Sequence, residues 1–232
     1  MSKLSKDIIF KKIWAACDSF RGVIDPAQYK DYILTMLFIK YISDVNNEKR
    51  KQYVKKYKGD KDRIDRAMNH ERFKVPKKSA FDYIYEKRNE PNIGEIINVA
   101  LELLEEANRS KLEGVFRNID FNSEPSLGQT KDRNRRLKNL LGDFAGLGVL
   151  GPSNLEGDDV IGDAYEFLIS NFASTAGKKA GEFYTPGEVS ELLARLVEAK
   201  AGDRIADPTC GSGSLLIKVG KTIANKNFTL HG

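Results

Sequence analysis

Asp203-Arg204-Ile205-Ala206-Asp207-Pro208-Thr209-Cys210-Gly211-Ser212-Gly213-Ser214-Leu215-Leu216 decides the fold class of this chain. The first five residues read as a short strand ending in a carboxylate. A glycine-containing turn follows, and Leu215, Leu216, Val219 and Ile223 mark the next helix. Strand, turn and helix in that order open a doubly wound α/β fold, where ligands sit at the carboxyl ends of the strands. Gly211 and Gly213 let the backbone come close to a ligand and tolerate positive φ. The helix start offers free amides worth about 0.3–1 kcal/mol to an anionic group. Asp207, at the strand tip, is placed to accept hydrogen bonds from a ligand amine or from the loop amides. A Gly-x-Gly alone is equally well a tight turn. The dinucleotide fingerprint wants a third glycine three residues after Gly213, where the chain has Leu216, so dinucleotide binding is disfavoured.

About twenty residues upstream stands Gly181-Glu182-Phe183-Tyr184-Thr185-Pro186-Gly187-Glu188. Thr185 as N-cap, Pro186 at the first helical position and Glu188 three residues after the cap predict a capping box. Val189, Leu192, Leu193, Leu196 and Val197 then predict a helix that buries one face and stops at Gly202. Capping accounts for Thr185, Pro186 and Glu188 without any function. It does not account for the two aromatics before the cap, which suit the wall of a pocket for a planar ring. A second strand is predicted at Phe228-Thr229-Leu230.

The first 140 residues follow helical periods. Ile9, Ile13, Cys17 and Phe20 form a stripe from Asp7 to Arg21, ended by Gly22. Asp25-Pro26 restarts a helix to about Glu48, apolar around more than half its circumference through Tyr29, Ile33, Leu34, Leu37, Phe38, Tyr41, Ile42 and Val45, the pattern of a central bundle helix. Further helices are predicted at Lys61–Asn69, Ser79–Glu86, Ile93–Ala107 and Asp163–Phe172. Glycines at 142, 146, 148 and 151, then Pro152, place a domain boundary near 140–155, dividing the chain into 1–150 and 151–232.

The net charge of +5 is unevenly placed. Residues 1–140 hold 30 Lys and Arg against 21 Asp and Glu, and residues 141–232 hold 8 against 12, so the first part suits a polyanion. Lys49 to Lys58 and Lys131 to Lys138 are dense in cations and could neutralise phosphates, or be solvated helix faces. Trp14 reads as core, His70 as surface, and Glu102, Glu105 and Glu106 as a solvated face. Two cysteines and two histidines lie too far apart for a disulfide framework or a local metal site. The longest apolar stretch, Tyr32 to Ile39, falls far short of the roughly 20 residues that span a bilayer. With no secretory pattern at the amino terminus, the cytoplasm is the expected setting and no membrane is expected as a partner.

Glu182-Phe183-Tyr184-Thr185-Pro186 and Asp207-Pro208-Thr209-Cys210-Gly211-Ser212-Gly213-Ser214 together resemble the first two cofactor-binding motifs of S-adenosylmethionine-dependent, amino-methylating DNA methyltransferases. More narrowly, the chain is similar to the modification subunit of type I restriction-modification systems. Trp14 to Asp44, with Phe20-Arg21-Gly22, Tyr29-Lys30-Asp31-Tyr32-Ile33-Leu34 and Phe38-Ile39-Lys40-Tyr41-Ile42-Ser43-Asp44, resembles that family's amino-terminal helical domain. The resemblance implies a mostly α fold: a helical bundle, then the first βα unit of a truncated, Rossmann-like methyltransferase domain. It implies S-adenosylmethionine as cofactor, with Phe183 and Tyr184, in one motif with Glu182, packed near it. Thr185, Pro186 and Gly187 would shape the helix entry beside its methionine end. Asp207 would stand by its amino group, and Gly211, Ser212, Gly213 and Ser214 would wrap its methionyl part, with Cys210 shaping the loop.

The implied reaction is methyl transfer to N6 of adenine in double-stranded DNA, on a flipped base. Implied partners are a specificity subunit, the restriction subunit and a second copy of the chain. The family's acidic residue for the ribose and its Asn-Pro-Pro-aromatic motif are absent and expected past Gly232, so the chain is expected to be an inactive amino-terminal fragment. Its last 30 or so residues are expected to lack order or to pair with another copy, since parallel sheets are normally covered on both faces. A stand-alone methyltransferase of a related system and a non-catalytic DNA-binding or interaction module remain as alternatives.

Overall fold

The fold was obtained as a computed structural model that describes residues 5–20, 26–155, 160–176, 185–211, 213–225 and 227–232. It divides into two compact units, Met1–Ala164 and Tyr165–Gly232. The expectations for Gly22, Asp25, Glu182, Phe183, Tyr184 and Ser212 lie outside the described residues.

The first unit is built from α1 (Lys6–Ala16), a 3-10 turn (Cys17–Ser19), α2 (Pro26–Lys56), α3 (Lys61–Asn69), α4 (Phe81–Glu86), α5 (Ile93–Ala107), α6 (Arg109–Leu112), α7 (Glu124–Leu127) and α8 (Thr130–Ala145). Its apolar stripes face inward. Ile9, Ile13, Cys17 and Phe20 are buried, as are Tyr29, Ile33, Met36, Leu37 and Ile39 of α2, Ile97 and Leu104 of α5, and Leu137, Leu140, Leu141 and Phe144 of α8. Each such side chain contributes about 1.5–3 kcal/mol by leaving water. α8 packs on α1, α2 and α5. Gly94 lets α5 approach the chain after α6, because a Cβ there would meet the Phe121 carbonyl oxygen at 2.5 Å. Trp14 is half-buried, His70 is exposed, and Glu105 of the acidic trio accepts the Gly114 amide at 2.8 Å.

α2 runs eight residues past the predicted end. Lys, Arg and Gln are good helix formers, and nothing stops the helix until Lys58 and Gly59 adopt φ of 51° and 83°. The Gly59 amide then donates to the Val54 carbonyl, and Lys55 and Lys56 complement the carboxyl-terminal dipole. Asp60 caps α3 by accepting the Arg63 amide at 3.2 Å. No helix among the described residues is long and apolar enough to cross a membrane.

α9 (Val160–Ala176) runs from the first unit into the second, which also holds α10 (Gly187–Val197), β1 (Arg204–Ala206), α11 (Ser214–Thr222) and β2 (Thr229–His231). β1 and β2 are parallel, with Arg204 opposite Thr229, Ile205 opposite Leu230 and Ala206 opposite His231. The parallel order follows from the α11 crossover between them. This corrects the expectation for the final residues: they pair within the chain. Gly220 of α11 allows this, since its Cβ position lies 3.1 Å from the Phe228 ring. All of β2 remains exposed, as expected of a parallel pair with little cover.

α10 brings two further corrections. The helix begins at Gly187 with Pro186 as N-cap and no side-chain capping bond, so the Thr185–Glu188 box does not form. The Ser190 amide bonds to the Pro186 carbonyl instead, and Glu198, at φ 51°, ends the helix well before Gly202. The stripe read as buried also points outward: Leu192, Leu196 and Val197 are 57%, 68% and 56% exposed. α10 packs on α11, and the residues it buries are Ser190 and Ala194. Small side chains allow close helix approach, and two three-residue strands offer too little surface to cover five large ones.

Candidate functional site

β1 ends at Ala206, and the chain turns at once. The Asp207 amide donates to the His231 carbonyl at 2.9 Å, fixing Asp207 at the carboxyl end of the two-stranded sheet. Its Oδ1 accepts the Thr209 amide at 3.0 Å and the Thr209 hydroxyl at 3.2 Å, closing an Asx turn. Oδ2 has no hydrogen-bond partner among the described residues. The Gly213 amide donates to the Cys210 carbonyl at 2.8 Å, with φ of 54° at Gly211 and 74° at Gly213. Those angles favour glycine.

Gly213 is also the N-cap of α11 and supplies no side chain to its first-turn amides. A Cβ on Gly213 would meet nothing within 4 Å. Among the described residues nothing covers the amino end of α11 on this side. An ion pair between Lys218 and Glu166, 3.4 Å, anchors the helix farther along.

A cavity of about 410 Å³ lies over this turn. It brings together Thr185, Asp207, Gly211 and Ser214, with Thr209 and Cys210 between them and Val197, Ile205, Leu215, Leu216 and Val219 as its apolar wall. Pro186 and Gly187 lie in the chain next to Thr185 but do not line it, and neither does Gly213. Cys210 is a half-buried free thiol. The apolar wall went unread because Val197 and Ile205 carry no polar signal. Their clue was position: the end of α10 and the centre of β1 flank the turn. Among the described residues no three His, Cys, Asp or Glu side chains converge as metal ligands.

In the first unit the basic stretches are partly spoken for. Arg50 pairs with Asp65 at 3.0 Å, Lys49 with Glu71 at 3.8 Å and Arg135 with Asp132 at 2.9 Å, while Arg136 donates to the Leu127 carbonyl. Tyr53 donates to Glu71 at 2.5 Å, and that hydrogen bond, ahead of burial, raises its pKa. Lys51, Lys55, Lys58, Lys131 and Lys138 make no ion pair among the described residues. They are the cations left for an external anion.

Residues 9–144 match the family described as HsdM N-terminal domain, and residues 156–232 match N-6 DNA Methylase. The chain is 34% identical, over 95% of its length, to the type I restriction enzyme MpnII methylase subunit of Mycoplasma pneumoniae, and covers 45% of that protein. It is 33% identical over its whole length to the MjaVIII methylase subunit of Methanocaldococcus jannaschii, covering 42%. The crystal structure of the type I restriction-modification methyltransferase subunit from Streptococcus thermophilus matches with a TM-score of 0.76 at 27% identity, over 97% of this chain and 52% of that one. The chain thus spans about half the length of the relatives it matches.

Proposed function

Since the chain belongs to the family of type I restriction-modification methylase subunits, we propose that the cavity at the tip of β1 is the S-adenosylmethionine site of a methyltransferase acting on adenine N6 in DNA. The observation that carries this is the convergence of Thr185, Asp207, Gly211 and Ser214 on one cavity. The donor set suits the cofactor's methionyl end. Asp207 keeps one carboxylate oxygen without a hydrogen bond among the described residues, suited to an ammonium group through a charge-assisted hydrogen bond. The uncapped amides of α11 suit a carboxylate. Gly211 and Gly213 adopt the positive φ that lets the backbone turn close to the cofactor, Ser214 supplies a polar group at the start of α11, and Ser212 belongs to the same motif in sequence. Glu182, Phe183 and Tyr184 precede Thr185 in the same motif, whose two aromatic rings suit a planar ring of the cofactor, while Pro186 and Gly187 set the start of α10.

The bound cofactor supplies a methyl group on a sulfonium sulfur, ready for direct transfer to a nucleophilic nitrogen. The residues of this chain hold and orient it, which is worth much of the barrier when the geometry is right. The whole protein acts on double-stranded DNA in the cytoplasm with a specificity subunit, the restriction subunit and a second copy of itself. Equilibrium titration of the 232-residue chain with S-adenosylmethionine tests the site. Asp207→Asn and Gly213→Val should each weaken binding at least tenfold, and unchanged affinity in both would overturn the assignment. DNA contact by the bundle is tested separately. If Lys51, Lys55 and Lys58 meet phosphates, their joint replacement by Gln lowers the slope of log K against log salt by about 0.9 per contact.

A further inference from the structure

Residues 147–155 follow α8 as an irregular strap on the first unit, just ahead of α9. Leu147, Leu150 and Leu155 bury their side chains there. Two carboxylates one turn apart on α2 take hold of the strap's main chain. Asp44 Oδ2 accepts the Leu150 amide at 2.7 Å and Glu48 Oε2 accepts the Ser153 amide at 3.3 Å. Each carboxylate is itself held. Lys40 donates to Asp44 at 2.6 Å in a pair that is nearly fully buried, and Gln52 donates to the other oxygen of Glu48 at 3.2 Å.

Gly151 lies between the two bonded amides, and a Cβ there would sit 2.2 Å from Glu48 Oε2 and 3.3 Å from its Cδ. Lys40 also lies 5.2 Å over the Phe81 ring, while Asn47 donates to Asp82 at 3.1 Å, so α4 closes the far side. A cavity of about 510 Å³, lined in part by Asn47, Lys51, Asp82 and Tyr85, opens beside these contacts. Water therefore reaches the Glu48–Ser153 end of the clasp, while the Asp44–Leu150 end is buried.

We propose that Asp44 and Glu48 form a two-point latch that fixes the register of the 147–155 strap on α2, and that the strap opens as a local unit when the latch is lost. Apolar burial alone tolerates sliding, whereas two acceptors at a helical turn's spacing admit one alignment of the Leu150 and Ser153 amides. The latch thereby sets where the chain leaves the bundle on its way into α9. Gly151 is part of it, because any side chain there displaces the Glu48 carboxylate.

Native-state hydrogen exchange of the 232-residue chain tests the latch. Glu48→Ala and Gly151→Ala should each speed exchange across residues 149–154 at least tenfold and leave α5 unchanged. The double variant should be no faster than Glu48→Ala, since the Gly151 substitution acts through the Glu48 side chain. Exchange in the strap within twofold of the parent in Glu48→Ala, multiplicative effects in the double variant, or equal acceleration in α5 would each overturn the proposal. Glu48 is only partly buried, so its removal leaves the core intact.

Discussion

On α8, Leu137, Leu140, Leu141 and Phe144 recur at helical spacing and are buried. On α10, Val189, Leu192, Leu193, Leu196 and Val197 recur at the same spacing and are exposed. Periodicity states which residues share a face, and a second surface decides whether that face is covered. α8 has α1, α2 and α5 around it, whereas α10 has α11 and meets it with Ser190 and Ala194. Among the described residues nothing larger than α11 is set against that stripe, so its five large side chains keep their contact with water.

The sharpest way to break this contrast is truncation on both faces. Phe144→Ala should cost about 3–5 kcal/mol in denaturant unfolding, through lost transfer energy and a residual cavity. Leu196→Ala should stay within about 0.5 kcal/mol, as exposed substitutions do. Equal losses would mean that the α10 face is covered in solution, for instance by a second copy, and would draw the two regions together again.

How much of this was legible beforehand follows the same division. The limits of α3 and α5 coincide with the sequence reading because Asp60 caps one and regular stripes define the other. The end of α2 was misread, since Lys49 to Lys56 extend the helix without adding apolar periodicity. The turn through Asp207, Gly211 and Gly213 could be located because a carboxylate and two glycines leave a mark in sequence. The grip of Asp44 on Leu150 was illegible: the partners are more than a hundred residues apart, and a main-chain amide looks alike at every position.

The bundle also holds a buried ion pair. Breaking such a pair by removing one partner costs about 3–5 kcal/mol, because a charge stays buried without its counter-ion. Lys40→Met leaves the Asp44 carboxylate buried beside the Leu150 amide without its counter-ion, so chemical denaturation should show a loss of that size. Lys40→Met combined with Asp44→Asn should recover much of it, and a double variant as unstable as the single would refute the pairing argument.

The same pair gives a pH signature. Burial raises the Asp44 pKa above the ordinary carboxylate range, opposed by the Leu150 amide and Lys40 and reinforced by Asp82. The folded state therefore holds this proton more tightly than the unfolded chain. Its contribution to stability is complete below the ordinary carboxylate pKa and is lost as pH rises through the raised value. Relative to the double variant, which lacks both groups, the parent should lose stability across that window. Lys51 and Glu48, on the same cavity, are retained in both proteins and so cancel from the comparison.

Two glycines supply the finest comparison between the units. Gly142 sits on the exposed side of α8 with nothing within 4 Å of its Cβ position and an ordinary helical φ. Gly213 has equal space around it but a φ of 74°. Space is thus the same and only the backbone differs. Gly142→Ala should stabilise the bundle by about 0.5–1 kcal/mol, since alanine loses less freedom on entering a helix. Gly213→Ala should destabilise the second unit by about 1–2 kcal/mol, the cost of a left-handed residue bearing a Cβ. Opposite signs in thermal unfolding would show that the turn over the cavity is held by backbone conformation, and equal signs would mean that the turn relaxes when the glycine is replaced.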